Sequence, residues 1–437
     1  MQEGSFIWGH LEKQHRTVNK WIDGVWLIIL LFAALLLFSI NLGGLPLRDG
    51  DEATVARIAT EIWNAPSGSM PWLYPTLAGE PYHYKPPLLH WLIAAAYTLV
   101  GDNFVWTTRL PGAVLTAFSV PLLYIIGREI FRQRWAAIYS ALIYLTMLPV
   151  VRYGRLAILD GVGVTCFLIM MLCVLRSRRD MRYCLGIGIG MGLICLTQGL
   201  IVILLSAIAI VFLCWDTPRL FSSKYFWLGI CIGIFPVAVW YTAQIWHYGY
   251  SFVEVGFINQ HLSPTHTKTA PPWFYIVEIL LWTWPWLLFL PQTLRLIWDN
   301  LNLSWAKLLI VWSLLYFLVI SCISIKQPWY LLPIYPSLAL ALGAQLAEIE
   351  NLPIGSSYPR LWVAGFSILA VVASAGSIYV SSSRFPQTDL QLIFASVALT
   401  MTLVAILAER GNGQFLKVLL WGTYVSLLLL MRSNYWV

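Results

Sequence analysis

Apolar stretches almost free of charge recur along the chain, separated by short polar segments. The first runs from Gly24 to Leu47, and others follow at about 109–127, 135–151, 160–175, 183–198, 199–215, 226–245, 274–291, 307–324, 330–347, 361–380, 390–408 and 415–431. A bilayer core is crossed by roughly 20 apolar residues in a helix. The pattern therefore predicts an all-α, polytopic membrane protein with about thirteen transmembrane helices. The pair 183–198 and 199–215 meets at a tight turn near Gln198-Gly199. No internal repeat or domain-sized soluble segment interrupts the pattern, so residues 1–437 read as a single membrane domain.

The stretch 88–101, "LLHWLIAAAYTLVG", is apolar but short for a span, and charge decides its placement. If it lies along the outer face as an interfacial helix, 17 of the 27 basic residues fall inside; if it crosses, only 10 do. Basic residues concentrate in cytoplasmic loops, which selects the interfacial placement. The segments "LRDGDEATVAR" (47–57), "YHYKPP" (82–87), "RYGRLAILD" (152–160), "NQHLSPTHTKTAPPW" (259–273) and "SIKQPWY" (324–330) then share one face. Nearly all the unusual polar residues gather there. A transporter would instead carry ionisable residues near the bilayer midplane.

Composition agrees: 59% of residues are hydrophobic and 11% charged, against about 25% charged in soluble domains. The net charge of +7 is accounted for by basic loops on the inner side, with no nucleic-acid surface implied. The seven cysteines all fall in apolar segments and read as buried thiols without a disulfide framework or metal-ligand spacing. The first apolar run is too long for a cleaved signal peptide, so residues 1–23 read as a retained tail.

The polar face suggests a site open to water and lipid headgroups together. Asp49, Asp51 and Glu52 follow the first span and Asp160 begins the fourth, so carboxylates from separate elements can converge, one as a general base. Lys85, Arg57 and Arg155 on the same face suit a phosphate. Trp72, Tyr74, Tyr82, Tyr84 and Trp273 suit stacking on sugar rings. Together they fit one reaction, in which an acceptor hydroxyl is deprotonated, attacks an anomeric carbon and expels a lipid phosphate. Two other classes use the same features: a flippase or transporter of a lipid-linked sugar, which needs no base, and a scaffold.

The stretch "DEATVARIATEIWNA…MPWLYPTLAGEPYHYKPPLLHWLIAAAYTLVGDNFVWTTRLP" resembles the first outer loop of the GT-C glycosyltransferases, in particular the aminoarabinose transferase and protein O-mannosyltransferase group. The likeness continues through "RLAILD" (155–160), "PPWFYIVEILLWTWPW" and "KQPWYLLPIYPSLALALG", and so covers roughly residues 45–345. It implies a polyprenyl-phosphate-linked sugar as donor, a lipid, glycan or protein as acceptor, inversion at the sugar, and a multi-pass enzyme of the bacterial inner membrane working on the periplasmic side. Residues 1–23 would then be a cytoplasmic tail, 43–108 the first periplasmic loop with its interfacial helices and 246–273 the second. The soluble C-terminal domain of longer relatives is expected to be absent.

The resemblance implies catalytic roles for Asp51, as acid or base, for Glu52 beside it, and for Asp160. It implies substrate binding by Lys85, which the prolines hold at headgroup level, and by Arg57, Arg155, Tyr82, Tyr84, His261, Lys326 and Tyr330. Three features depart from it. Thr54 and Val55 stand where many aminoarabinose transferases have arginine and tyrosine, leaving Arg57 as the substitute. Tyr84 replaces a glutamate tied to a structural metal. The third is the missing C-terminal domain. No cofactor is implied; the alternative is a divalent-metal site on His83, His261 and His266.

Overall fold

The computed structural model describes residues 3–48, 50–66, 68–259, 270–323, 325–353, 356–382 and 387–436, with side chains from residue 20 onward except at 257–259. Helix α1 (Glu3–Ser39) runs through the tail into the first span without a break, its apolar part beginning at Lys20. It ends eight residues before Leu47. Asn41 adopts a positive φ of 50° and donates through Nδ2 to the Arg432 carbonyl at 2.7 Å, and Gly43, Gly44 and Pro46 follow. Residues 40–48 are thus a loop with free carbonyls, an outcome that hydropathy alone does not register.

The outer loop carries α2 (Asp51–Trp63), a two-residue hairpin of β1 (Thr76–Leu77) and β2 (Glu80–Pro81), and α3 (Leu88–Val100). The strands pair antiparallel, Thr76 with Pro81 and Leu77 with Glu80, around Ala78 and Gly79, both at positive φ as a two-residue hairpin turn requires. Glu61 on α2 fastens this hairpin, accepting from the Thr76 hydroxyl at 2.5 Å and the Ala78 amide at 2.6 Å.

Then come α4 (Val105–Ile130), α5 (Arg134–Leu145) with α6 (Leu148–Gly154), α7 (Leu159–Ser177), α8 (Cys184–Gln198), α9 (Ile201–Asp216) and α10 (Lys224–Tyr248). The later spans are Phe274–Trp282 with Trp286–Asp299, then Ser304–Cys322, Pro328–Glu350, Arg360–Ser382, Thr388–Glu409 and Phe415–Arg432. Ten described helices are long and apolar enough to cross alone, or twelve if each of two bent pairs is one span. The pair α5–α6 bends by 58° and the pair 274–299 by 105°.

Side-chain contacts settle the two short apolar helices, α3 and α9. Lys85, just before α3, lies within electrostatic range of Asp160, as does Asp51. Arg109, just after α3, is bonded to Glu52. Both ends of α3 therefore sit by the start of α2, and its 13 residues reach only about 20 Å at 1.5 Å per residue. It does not cross. Helix α9 starts beside Gln198, which donates to Asp160 at 3.0 Å, and ends at Asp216, which pairs with Arg178 at 3.1 Å beyond the far end of α7. It runs alongside α7 from one end to the other, and its 16 residues fall just short of the usual length of a span.

The windows of α7 and Pro328–Glu350 are 83% buried, against 22% for Arg360–Ser382 and Thr388–Glu409, so the first two form the centre and the last two the rim. Helices α8 and α10 touch backbone to backbone. A Cβ on Gly188 would lie 2.0 Å from the Gly229 carbonyl, and one on Gly192 would lie 2.1 Å from that of Gly233. Only glycine permits this approach, the small-residue packing that draws membrane helices together. The thiols depart from the expectation: Cys166 and Cys184 are buried, but Cys214, Cys231 and Cys322 are exposed on apolar helices.

Candidate active site

The sequence DE at 51–52 opens α2, so its two side chains point about 100° apart around the helix. Asp51 is exposed and Glu52 is 1% exposed. Glu52 Oε1 accepts from Arg109 Nε at 2.8 Å and the Ala157 amide at 2.9 Å, and Oε2 accepts from Arg109 Nη2 at 2.9 Å and the Arg48 amide at 2.8 Å. The rest of the guanidinium donates to the carbonyls of Leu42, Leu45 and Pro46 at 2.8–2.9 Å. Every guanidinium donor and every in-plane lone pair of the carboxylate is therefore used. This saturated pair binds four pieces of chain: the 42–48 loop, α2, α4 and the segment before α7. Glu52 has no lone pair left for a substrate proton, so the expectation that it is catalytic is corrected to a structural role.

Arg155 is likewise fully buried. It donates to the carbonyls of Ile40 and Met431 and lies 4.2 Å from the Trp436 ring centroid, while Arg109 approaches the same ring at 5.3 Å. The ring is 1% exposed, and these contacts hold the end of the last helix to the 40–48 loop. Arg155 is thus removed from the list of phosphate contacts. The Arg57 side chain is 63% exposed and pairs with Glu61 one helical turn on, at 3.7 Å. Lys326 donates to the Ala270 carbonyl at 3.3 Å and to that of Ile323, so it fastens a loop.

The remaining residues converge. Asp51 from α2 and Lys85 from the segment before α3 both lie within electrostatic range of Asp160 on α7. Tyr82 is within range of Asp51, and Tyr330 of both Asp51 and Asp160. Tyr82 is buried, with its ring 5.8 Å from that of exposed Tyr84 and 6.0 Å from His90. Burial, with Lys85 adding to it, pushes the His90 imidazole down to about 4, so this histidine is neutral at ordinary pH and Lys85 supplies the positive charge. Pro86 and Pro87 are buried at the start of α3, and Lys85 before them is half-buried.

His83 is buried between Tyr248 and Phe252, with ring centroids at 4.7 and 5.3 Å, and burial lowers its pKa. His261, His266 and Asp49 lie outside the described residues. Among the described residues no three His, Cys, Asp or Glu side chains cluster as metal ligands. Sequence reasoning assigned no role to Arg109, Gln198 or Trp436. For Arg109 a signal existed, since an arginine in the second turn of an apolar helix must find a partner. Trp436 carried none, being indistinguishable from the other aromatics of a membrane protein.

Residues 84–242 match a family described as dolichyl-phosphate-mannose-protein mannosyltransferase. The undecaprenyl phosphate-alpha-4-amino-4-deoxy-L-arabinose arabinosyl transferase of Aeromonas salmonicida is 30% identical over 400 residues, covering 86% of this chain and 71% of that protein. The protein of the same name from Pectobacterium atrosepticum is 27% identical over 387 residues, covering 84% and 67%. The crystal structure of ArnT from Cupriavidus metallidurans bound to undecaprenyl phosphate has the same GT-C fold, with a TM-score of 0.76 at 20% identity over 94% of this chain and 77% of that one. By its likeness to the Aeromonas protein, with the fold in agreement, this chain belongs to the aminoarabinose transferase family and is a multi-pass membrane glycosyltransferase.

Proposed function

We propose that the protein moves a sugar from a polyprenyl-phosphate donor to a hydroxyl of a lipid, glycan or protein acceptor, on the periplasmic face of the bacterial inner membrane and with inversion. The observation that carries this reading is the convergence of exposed Asp51 with Lys85 and Asp160 from three separate elements. In the reaction, Asp51 takes the proton of the acceptor hydroxyl as its oxygen bonds to the anomeric carbon. The bond from that carbon to the phosphate oxygen breaks, and the leaving polyprenyl phosphate keeps the electron pair. Lys85 neutralises the charge that builds there, an interaction stronger in the transition state than in the bound donor. Tyr330 lies within electrostatic range of both Asp51 and Asp160.

The assay is transfer by purified protein in detergent, with and without a chelator. Asp51→Asn keeps size but removes basicity, so turnover should fall about 10²-fold or more with donor affinity little changed. Lys85→Ala should weaken donor binding and also slow transfer. An Asp51→Asn variant as active in transfer as the parent would pass the role of base to Asp160; a parent protein that transfers no sugar but still binds the lipid-linked donor would instead be a carrier that needs no base.

A further inference from the structure

Beside Lys85 lies a cleft whose walls include His83, Gln198, Trp240, Tyr241 and Phe252. It is narrow, with room for about two water-sized groups. Three of the side chains around it present a buried polar atom without a partner: His83 Nδ1, Gln198 Oε1 and Trp240 Nε1. His83 is 8% exposed and Trp240 3%. Buried polar atoms nearly always have partners, and three orphans around one cleft point to a guest.

Their chemistry specifies that guest. The indole Nε1 only donates. Gln198 is oriented by its bond to Asp160, since Nε2 donates to a carboxylate oxygen at 3.0 Å, and this leaves the unpartnered Oε1 purely as an acceptor. A neutral imidazole nitrogen does either. A phosphate oxygen would satisfy Trp240 but oppose Gln198; an ammonium would satisfy Gln198 but oppose Trp240. A hydroxyl both donates and accepts, and so answers all three. Gln198 also links the cleft to Asp160, around which Lys85 and Asp51 gather.

We propose that this cleft receives the hydroxyl-bearing edge of the donor sugar, a ring hydroxyl pair or a hydroxymethyl arm, with His83, Gln198 and Trp240 as its partners. The inference rests on the transferase reading above and adds a substrate class to it: a donor recognised through neutral hydroxyls on the side of the ring that faces away from Asp51.

The test uses the full chain in detergent with polyprenyl monophosphate and a panel of polyprenyl-phosphate sugars: a neutral hexose, a neutral pentose, an aminopentose, and deoxy analogues of whichever is transferred. Trp240→Phe deletes the N–H and keeps an aromatic ring; Gln198→Met keeps length without the amide. Each should raise KM for the glycosylated donor about three- to tenfold, the value of one hydrogen bond, while binding of sugar-free polyprenyl monophosphate changes less than about twofold. One deoxy donor should show the same KM rise with the parent protein, and with that donor Trp240→Phe should add nothing further. If both variants keep the parental KM, or shift it equally for every deoxy donor, the cleft holds only water and the proposal fails while the transferase reading stands. If no polyprenyl-phosphate sugar is transferred and the sugar-free lipid does not bind, the transferase reading falls and this proposal with it.

Discussion

Glu52→Gln is nearly isosteric, yet at this position it should act first as a severe structural lesion, with any loss of turnover arising only through the displacement of Asp51. Glu52 Oε1 faces Arg109 Nε and the Ala157 amide, and Oε2 faces Arg109 Nη2 and the Arg48 amide. All four neighbours are donors. A glutamine placed either way therefore turns its NH₂ group toward two of them, and Arg109 also loses its carboxylate in a site where it is fully buried. Breaking a buried ion pair by changing one partner costs about 3–5 kcal/mol. At roughly 1 °C per kcal/mol, from the scaling of unfolding entropy with chain length, Tm in detergent should fall by about 3–5 °C. Replacing both partners with apolar residues should not restore it, because the carbonyls of Leu42, Leu45 and Pro46 would lose their donors too. The assay pairs thermal unfolding with turnover per folded molecule, measured well below Tm. Asp51→Asn should show the reverse pattern, with turnover lost and Tm kept. A Glu52→Gln protein as stable as the parent but inactive would refute the assignment and make Glu52 the base.

Trp436→Ala removes the ring that Arg109 and Arg155 approach at 5.3 and 4.2 Å, and a buried tryptophan lost to alanine costs about 3–5 kcal/mol; differential scanning fluorimetry should show the drop, with KM for donor little changed in the folded fraction. Gly192→Val must push α8 and α10 apart against the Gly233 carbonyl and should destabilise by about 1–3 kcal/mol or more, read as a lower Tm together with a raised donor KM, since these helices carry Gln198 and Trp240. The pKa of His90 is depressed by burial to about 4, so its share of stability is present above the ordinary histidine value near 6.5 and is lost as pH falls toward 4. That share is about 3 kcal/mol, and hydrogen exchange across 88–100 should show a loosening in this window which His90→Leu abolishes.

Hydropathy located the spans because the bilayer imposes a length and a polarity that any stretch of about 20 residues reveals. It misplaced the end of α1 because residues 40–47 are just as apolar; what stops the helix is Asn41 at positive φ and the buried Arg109, which collects the carbonyls of Leu42, Leu45 and Pro46. Charge counting separated α3 from a span, and the contacts at its two ends give the same answer. The candidate site was legible in residue types but not in their division of labour. Arg155 and Lys85 are both cations of the outer face in the sequence, and only packing distinguishes the one beneath Trp436 from the one that meets Asp160. The departure at Tyr84 is also only half readable. Its ring is exposed beside Tyr82, a placement that the residue type alone does not reveal.

Adjacent carboxylates with opposite fates follow from where α2 begins. Gly50, at φ 92°, lets the chain turn sharply into the helix, and the first two helical positions then point to different sides. The one that faces α4 meets Arg109 and two free amides, an environment that favours an ionised carboxylate so strongly that no lone pair remains for chemistry. The one that faces outward is exposed and held in place by its neighbour, and in the proposed reaction its lone pairs take the acceptor proton. A free aspartate on a frayed helix end would wander over distances that cost rate, because misplacement by about 1 Å can cost about 10²-fold. Fixing Glu52 at four points removes that freedom from Asp51 without touching its oxygens. In this arrangement Glu52 contributes to turnover only through position. Glu52→Asp, which keeps the charge but shortens the reach, should therefore lower kcat more than it changes donor KM, and its pH profile should keep the parental form, since the same base is titrated in both proteins.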